Sequence, residues 1–217
     1  MRRGDLWHGF LLVLVMVLLV LPSIGGRFFT WSDQTPLVGG FIKFFLFASY
    51  GDVLSHRLKK GDYHVRGLFF KAVVWGLIGV VIVWIFTIYS HGIRVLQTQN
   101  LLLGHSDGLV FAFFVSVFMN LTFAPAMMLF HRLSDHYIEH RLHTAHHTFA
   151  QTIEAIDYRS FVSFVLFKTI PFFWIPAHTI TFMLPGRYRV FFAALLGVAL
   201  GLILGLAKQS PTPKEVA

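Results

Sequence analysis

Residues 67–90 read GLFFKAVVWGLIGVVIVWIFTIYS, and this stretch decides the fold. Its single charged residue is Lys71. A helix needs about 20 predominantly apolar residues to cross the hydrocarbon layer of a bilayer, so the stretch predicts a membrane-spanning helix. Five further apolar stretches approach that length, at 7–25, 36–55, 108–130, 161–184 and 188–207. We therefore expect an all-α, multi-pass transmembrane bundle of five to six membrane helices.

The composition supports this class and excludes others. Hydrophobic residues make up 56% of the 217 residues and charged residues 13%, which is too apolar a mixture for a soluble domain of this size. The net charge is +8, but the basic residues lie between apolar runs, so we expect a lipid bilayer as partner and no nucleic acid. The absence of cysteine excludes disulfides, cysteine-ligated zinc and thiol catalysis.

The chain is predicted to form a single membrane domain over 1–217. Residues 7–25 are a retained signal anchor or extra helix, with a cleaved signal peptide as the alternative. Residues 36–207 form the helix bundle, and 208–217 form a short tail. Lys and Arg are concentrated in alternate connections, which predicts that both termini lie on the cytoplasmic or matrix side. The membrane is a bacterial inner membrane or an organellar membrane.

Proline and glycine shape the last two spans. Pro171 and Pro176 interrupt the fifth apolar run, so we expect that helix to be kinked and packed inward. The Pro185-Gly186 turn predicts a tight hairpin to the last helix. Glycines at four-residue spacing in that helix allow close approach of another helix, from the same chain or from a second copy in a homo-oligomer. These helix-packing residues are Gly197, Gly201 and Gly205.

A histidine-rich segment at 131–147 reads HRLSDHYIEHRLHTAHH. Helical spacing would place four histidines on one stripe of an interfacial amphipathic helix around 131–150, and they are His136, His140, His143 and His147. The stripe is interpreted as a solvated polar face, a pH-responsive surface or a site for a divalent metal such as Zn²⁺. A histidine-rich metal-binding membrane protein or metal-dependent enzyme is therefore the second hypothesis for function.

Three ionisable residues lie within or near the ends of apolar runs. Asp52 lies near a helix end, in the headgroup region or facing a polar cavity. Lys43 and Lys168 lie deeper, and each either extends its ammonium to the membrane surface or lines a polar pocket.

Several short motifs carry a family resemblance. They are Gly51-Asp52, Phe123-Ala124-Pro125, and a run that begins at Trp174 and Pro176 and ends at Tyr188-Arg189. Between about Pro36 and Arg189 the chain resembles the Mpv-seventeen and twenty-two-kilodalton peroxisomal membrane protein family, as a divergent member. His178 and Thr181 stand where that family has Gln and Asn.

The resemblance implies a function. Members of that family are four-helix-type membrane proteins proposed to form weakly selective pores, so it implies a small-solute channel or pore component that is not an enzyme and has no cofactor. The residues it implies for a pore or polar cavity, with the deep Lys168 added, are Asp52, His56, Lys168, Trp174, His178 and Thr181. Hydrogen bonding between packed helices is the alternative role for them, and a structural assembly partner is the alternative function.

Overall fold

The computed structural model describes residues 3–144 and 146–207. The predicted tail at 208–217 lies outside the described residues. All regular structure within the described part is helical, as the sequence predicted. The helices are α1 (Arg3–Val20), α2 (Gly25–Gln34), α3 (Pro36–Lys60), α4 (Leu68–Thr98), α5 (Gly108–Arg141), α6 (Phe149–Ala155), α7 (Tyr158–Met183) and α8 (Gly186–Ala207).

Five of these helices, α3, α4, α5, α7 and α8, are long and apolar enough to cross a membrane. A sixth crossing exists if α1 and α2, which meet at a bend of 73°, count as one broken span. Both parts of this pair are tied to the bundle, because Arg57 holds Asp5 at 2.8 Å and Arg187 holds Asp33 at 2.9 Å. The predicted bundle of five to six membrane helices is confirmed.

Consecutive spans alternate in direction, so the connections fall at two ends of the bundle. We call one the inner end, after the side that the charge bias predicts, and the other the outer end. The inner end carries the connections 61–67 and 142–157, and the outer end carries residue 35 and the connections 99–107 and 184–185. Gly61, with a φ of 88°, ends α3 in the left-handed conformation that glycine adopts without strain.

Two glycine contacts bring α3 against its neighbours. A Cβ placed on Gly79 of α4 would lie 2.4 Å from the carbonyl oxygen of Gly40, so only glycine permits that crossing. A Cβ on Gly201 of α8 would lie 2.8 Å from the carbonyl oxygen of Gly51. The predicted glycine stripe therefore packs within its own chain, with Gly197 also in contact with α3. Gly205 continues the spacing beyond the residues whose packing is described.

The proline-containing span α7 has two unlike parts. Its first part, Phe161–Trp174, winds as a π-helix with Pro171 inside it, and Ile175–Met183 is α-helical. The prediction that this helix packs inward is correct only for its α-helical part, because the π-helical part buries just Phe161 and Ile170. The predicted hairpin to α8 is confirmed, since α7 ends at Met183 and α8 begins at Gly186.

The prediction of an interfacial helix around 131–150 is wrong. Residues 131–141 are the last turns of the spanning helix α5, and the chain leaves the helix before residue 148. One reason is a competing start signal, because Thr148 accepts a hydrogen bond from the backbone of Gln151 in a capping box that begins α6. A second reason is charge, since Asp135 and Glu139 on these turns face Lys71 of α4.

An apolar core separates the two ends of the bundle. Phe44 of α3, Ile82 and Phe86 of α4, Met119 of α5 and Phe182 of α7 are all buried there. Their burial inside a bundle whose outer surface is also apolar is what a lipid environment requires.

Candidate functional site

A group of polar side chains from three spans meets near the inner end. We call it the inner polar group, and it consists of Asp52, Lys71, Trp75, His131, Asp135 and Glu139. The indole Nε1 of Trp75 donates a hydrogen bond of 2.6 Å to Asp52 Oδ2. The rings of Trp75 and His131 lie with their centroids 4.0 Å apart. The packing of α3 against α4 brings Asp52 and Trp75 together.

Lys71 supplies the positive charge of the inner polar group. Its Nζ lies 3.8 Å from Asp135 Oδ2 and 3.7 Å from Glu139 Oε2, and its side chain is buried. Burying an ammonium beside carboxylates offsets part of its desolvation cost. Lys71 and Glu139 thus link α4 to the last turns of α5.

Three donors in the inner polar group converge. Each of three residues offers one possible metal-ligand atom, and these atoms lie within 4.8 Å of one another; the residues are Asp52, His131 and Asp135. Within the part of the chain that the structure describes, no other three histidine or carboxylate residues come so close together. This is therefore the place where the described residues are best arranged to hold a metal ion.

Sequence reasoning found Asp52 but missed its partners. Lys71 and Trp75 stand four residues apart on one face of α4, and His131 and Asp135 stand four apart on α5. Two such pairs, each holding an ionisable residue at membrane depth, were a usable signal that α4 and α5 share a polar contact.

A second polar region is a cavity of about 380 Å³ at the outer end. It lies between α2, α3, α4 and α8, and it is lined by Ser32, Asp33, Pro36, Lys43, Val83, Phe86, Thr87, Ser90, His91, Arg94, Gly186, Arg187, Arg189 and Val190. Four basic side chains face one carboxylate in this lining. We call it the outer basic cavity.

Lys43 is the most buried of these charges, with 3% of its surface exposed. Its Nζ donates a hydrogen bond of 2.6 Å to Ser32 Oγ and lies 5.8 Å from the ring centroids of Phe28 and Phe29. Among the described residues no carboxylate oxygen comes within salt-bridge distance of it. Of the two interpretations of Lys43, a residue that lines a polar pocket fits its position better than one that extends its ammonium to the membrane surface.

The outer basic cavity ends on aromatic rings. Phe86 lines it, and the ring of Phe86 lies 4.7 Å from that of Phe182 and 6.0 Å from that of His178. Asn120 Nδ2 lies 3.1 Å from His178 Nδ1, so this histidine is held between α5 and α7. His178 thus does not line the cavity, but its ring lies next to that of Phe86, which does.

One face of α4 connects the two polar regions. Lys71 and Trp75 belong to the inner polar group, whereas Ser90 and Arg94 line the outer basic cavity. The buried residues between them on this face are Ile78, Gly79, Ile82 and Phe86. Lys71, Trp75, Ile78, Ile82 and Phe86 follow one another at spacings of three or four residues, which keeps them on one side of the helix.

The predicted cavity residues do not form one cluster. Asp52 belongs to the inner polar group, and His56 faces Asp62 at 3.2 Å near the same end. Trp174 stacks on His178 with ring centroids 5.3 Å apart.

The last two predicted cavity residues differ in burial. Thr181 is fully buried and donates a hydrogen bond to the carbonyl oxygen of Ala177. Lys168 is exposed on the π-helical part of α7 and lines neither polar region. The alternative of hydrogen bonding between packed helices describes His178, which meets Asn120 of α5, whereas Thr181 bonds within its own helix.

Three of the four predicted stripe histidines lie close together, but a loop and not a continuous helix brings the last of them there. His136 and His140 stack with ring centroids 4.1 Å apart, and the loop after α5 returns His147 to 5.0 Å from His140. His143 instead contacts Arg66 of the neighbouring connection. Metal binding by the stripe stays a prediction.

Comparisons with protein-family models, curated proteins and solved structures find no match for this chain. Its function must therefore be inferred from its residues and their geometry. The fold and composition identify an all-α, multi-pass integral membrane protein.

Proposed function

We propose that this protein is a gated passage for small anionic solutes and not an enzyme, in keeping with the pore function that its resemblance to the Mpv-seventeen family implies. The observation that carries the proposal is the buried ammonium of Lys43 in the outer basic cavity, which has no carboxylate oxygen within salt-bridge distance among the described residues. A charge placed at this depth is costly and is retained where it binds or guides an ion.

The charge balance of the outer basic cavity favours anions. Asp33 is occupied by Arg187 at 2.9 Å. Arg94 lies over the ring of Phe111, and Arg189 donates to the carbonyl oxygen of Leu184. Neither of these two arginines is neutralised by a carboxylate within salt-bridge distance among the described residues. A concave site with low-dielectric walls and one sign of charge concentrates counter-ions.

The size of the cavity favours small solutes. Pockets that enclose drug-sized ligands range over about 300–1,000 Å³, and this one, at about 380 Å³, lies at the lower limit. A carboxylate or phosphate of a few carbon atoms fits these dimensions and this charge.

The apolar face of α4 supplies a gate. In the present conformation Ile78, Ile82 and Phe86 separate the outer basic cavity from the inner polar group. Hydrophobic constrictions of this kind close a pathway by excluding water, and a small displacement of these side chains opens it. The passage we propose therefore runs along α4 between the two polar regions.

Solute release from liposomes containing the purified full-length protein tests the proposal. We expect release of a small dicarboxylate to exceed release of a neutral sugar of similar size. Lys43→Gln should slow dicarboxylate release roughly tenfold, which corresponds to about 1.4 kcal/mol in the barrier. Lys168→Gln is the matched control, because it removes an exposed lysine that lines neither polar region, and it should leave release unchanged.

Two results would contradict the proposal. Liposomes that retain both solutes at several pH values would rule out a passage. Equal loss of release in Lys43→Gln and Lys168→Gln would show that general charge, and not the outer basic cavity, controls the flux.

A further inference from the structure

We infer that Asp52, His131 and Asp135 form a binding site for a divalent transition-metal ion of the Zn²⁺ type at the inner end of the bundle. This site goes beyond the proposed passage and does not depend on it. It also differs from the predicted histidine stripe, because its ligands come from α3 and α5 and include two carboxylates.

The first argument is the convergence of the ligand atoms. The three atoms lie within 4.8 Å of one another. Two ligand atoms on one Zn²⁺, with bonds of about 2.0–2.2 Å, stand roughly 3.4 Å apart at a tetrahedral angle. Side-chain adjustments of about 1 Å or less therefore bring the three into bonding distance.

The second argument is that two buried atoms of these ligand residues lack a hydrogen-bond partner. His131 Nε2 and Asp135 Oδ1 are inaccessible to solvent and form no hydrogen bond. They face each other at 3.8 Å, which is too long for a hydrogen bond. Buried polar atoms are almost always satisfied, and an ion held between these two atoms and Asp52 would satisfy both.

The third argument is charge. The inner polar group holds three carboxyl side chains, Asp52, Asp135 and Glu139, and the single ammonium of Lys71, so its carboxyl groups outnumber its cationic groups. A divalent cation neutralises that excess. Lys71 retains a partner when Asp135 turns to the ion, because Glu139 lies 3.7 Å from its Nζ on the other side.

The fourth argument is the support around the ligands. Trp75 Nε1 donates a hydrogen bond to Asp52 Oδ2, which restricts the orientation of the carboxylate beside His131 and Asp135. The same indole packs against the ring of His131. Residues that orient metal ligands in this way typically contribute 10- to 100-fold in affinity. Trp75 is thus a positioning residue for two of the three ligands.

The ligand types select the ion. One imidazole and two carboxylates suit Zn²⁺ and Mn²⁺. Three protein ligands leave a further position for water or for a solute. We expect Zn²⁺ to bind more tightly than Mn²⁺, as the general order of divalent affinities requires.

Zinc titration of the chelator-treated, full-length protein in detergent tests this inference. Calorimetry with Zn²⁺ alone should give one site per chain. Asp52→Asn, His131→Gln and Asp135→Asn should each weaken binding by more than about tenfold. His136→Gln is the matched control, because it removes the next histidine on α5 and part of the histidine stripe, and it should leave binding unchanged.

A second readout separates lost binding from lost folding. Zn²⁺ should raise the Tm of the wild-type protein and of His136→Gln, and it should leave the Tm of His131→Gln unchanged. Absence of binding up to about 1 mM Zn²⁺, which corresponds to only about −4.1 kcal/mol, would overturn the inference. Binding that survives all three ligand substitutions but is lost in His136→Gln would also overturn it and would assign the ion to the histidine stripe. Neither result bears on Lys43 and the passage.

Discussion

Trp75 on α4 donates its indole hydrogen to Asp52 on α3 over 2.6 Å. This hydrogen bond places a carboxylate next to His131 and Asp135 of α5, so three spans meet at one acidic residue. Because the same α4 face lines the outer basic cavity, a change at Trp75 also alters the helix along which we propose that solutes pass.

Removing this hydrogen bond should destabilise the bundle. Trp75→Phe leaves a buried oxygen of Asp52 without its donor, and a buried polar group left without a partner costs about 1–3 kcal/mol. Thermal unfolding in detergent measures the effect. Trp84→Phe is the control, because that indole is 52% exposed on the same helix, and its effect should stay within about 0.5 kcal/mol. Equal effects of the two substitutions would show that the hydrogen bond adds nothing.

The glycine stripe of α8 predicts two opposite outcomes. In Gly201→Ala the new methyl group would lie 2.8 Å from the carbonyl oxygen of Gly51, so α8 must move away from α3. We expect a loss of about 1–3 kcal/mol, as for overpacked sites. In Gly197→Ala the nearest atom is 3.7 Å away, so the better helix propensity of alanine should leave stability equal or higher. Comparing the two Tm values decides whether this crossing is as close as described.

The connection 61–67 predicts a pH dependence. The backbone N–H of His64 donates to Asp62 over 2.8 Å, and this bond, together with the nearby His56, holds the pKa of Asp62 below its usual value of 3.8. A lowered pKa in the folded state means that the ionised carboxylate stabilises the fold above about pH 4 and that this contribution is lost as pH falls.

The measurement for this effect is the difference in Tm between the wild type and Asp62→Asn from pH 7 to pH 3. We expect the variant to be less stable at pH 6–7 and the difference to close below about pH 4. Asp107→Asn is the control, because it removes a carboxylate from another connection that makes no capping hydrogen bond at the start of α5, and it should change the Tm at pH 7 little. A constant difference for Asp62→Asn would contradict the assignment.

The absence of cysteine allows a direct test of topology. His64 lies in an inner-end connection and His105 in an outer-end connection, and both are exposed. An impermeant maleimide should label His64→Cys and His105→Cys from opposite sides of the membrane, with His64→Cys on the cytoplasmic or matrix side. Labelling of both from one side would contradict the arrangement of the spans.

The sequence predicted the spans well and the site only in part. Span length is a local property, so the apolar runs located the five long helices and the hairpin at Pro185. The end of α5 was missed because the helical spacing of histidines continues to His147, whereas the Thr148 cap and the contacts of Lys71 decide where the chain turns. Tertiary contacts overrode a regular pattern.

The partners of Asp52 could not be predicted because helix rotation decides them. Trp75 and His131 are distant from Asp52 in sequence, and the packing of α3 against α4 and α5 brings them together. The outer basic cavity could not be predicted for the same reason, since Arg94 and Arg189 lie near helix ends, where basic residues are common in membrane proteins. Their convergence on Lys43 depends on how α3, α4 and α8 pack together.

The reversal potential of the reconstituted protein in a planar bilayer under a potassium chloride gradient tests the proposed passage most directly. The outer basic cavity predicts an anion-selective conductance, with a reversal potential displaced towards that of chloride. Lys43→Gln should move the reversal potential towards zero, and Lys168→Gln should not. A cation-selective conductance, or none in the wild-type protein, would contradict the proposal that solutes pass along α4 from Lys43.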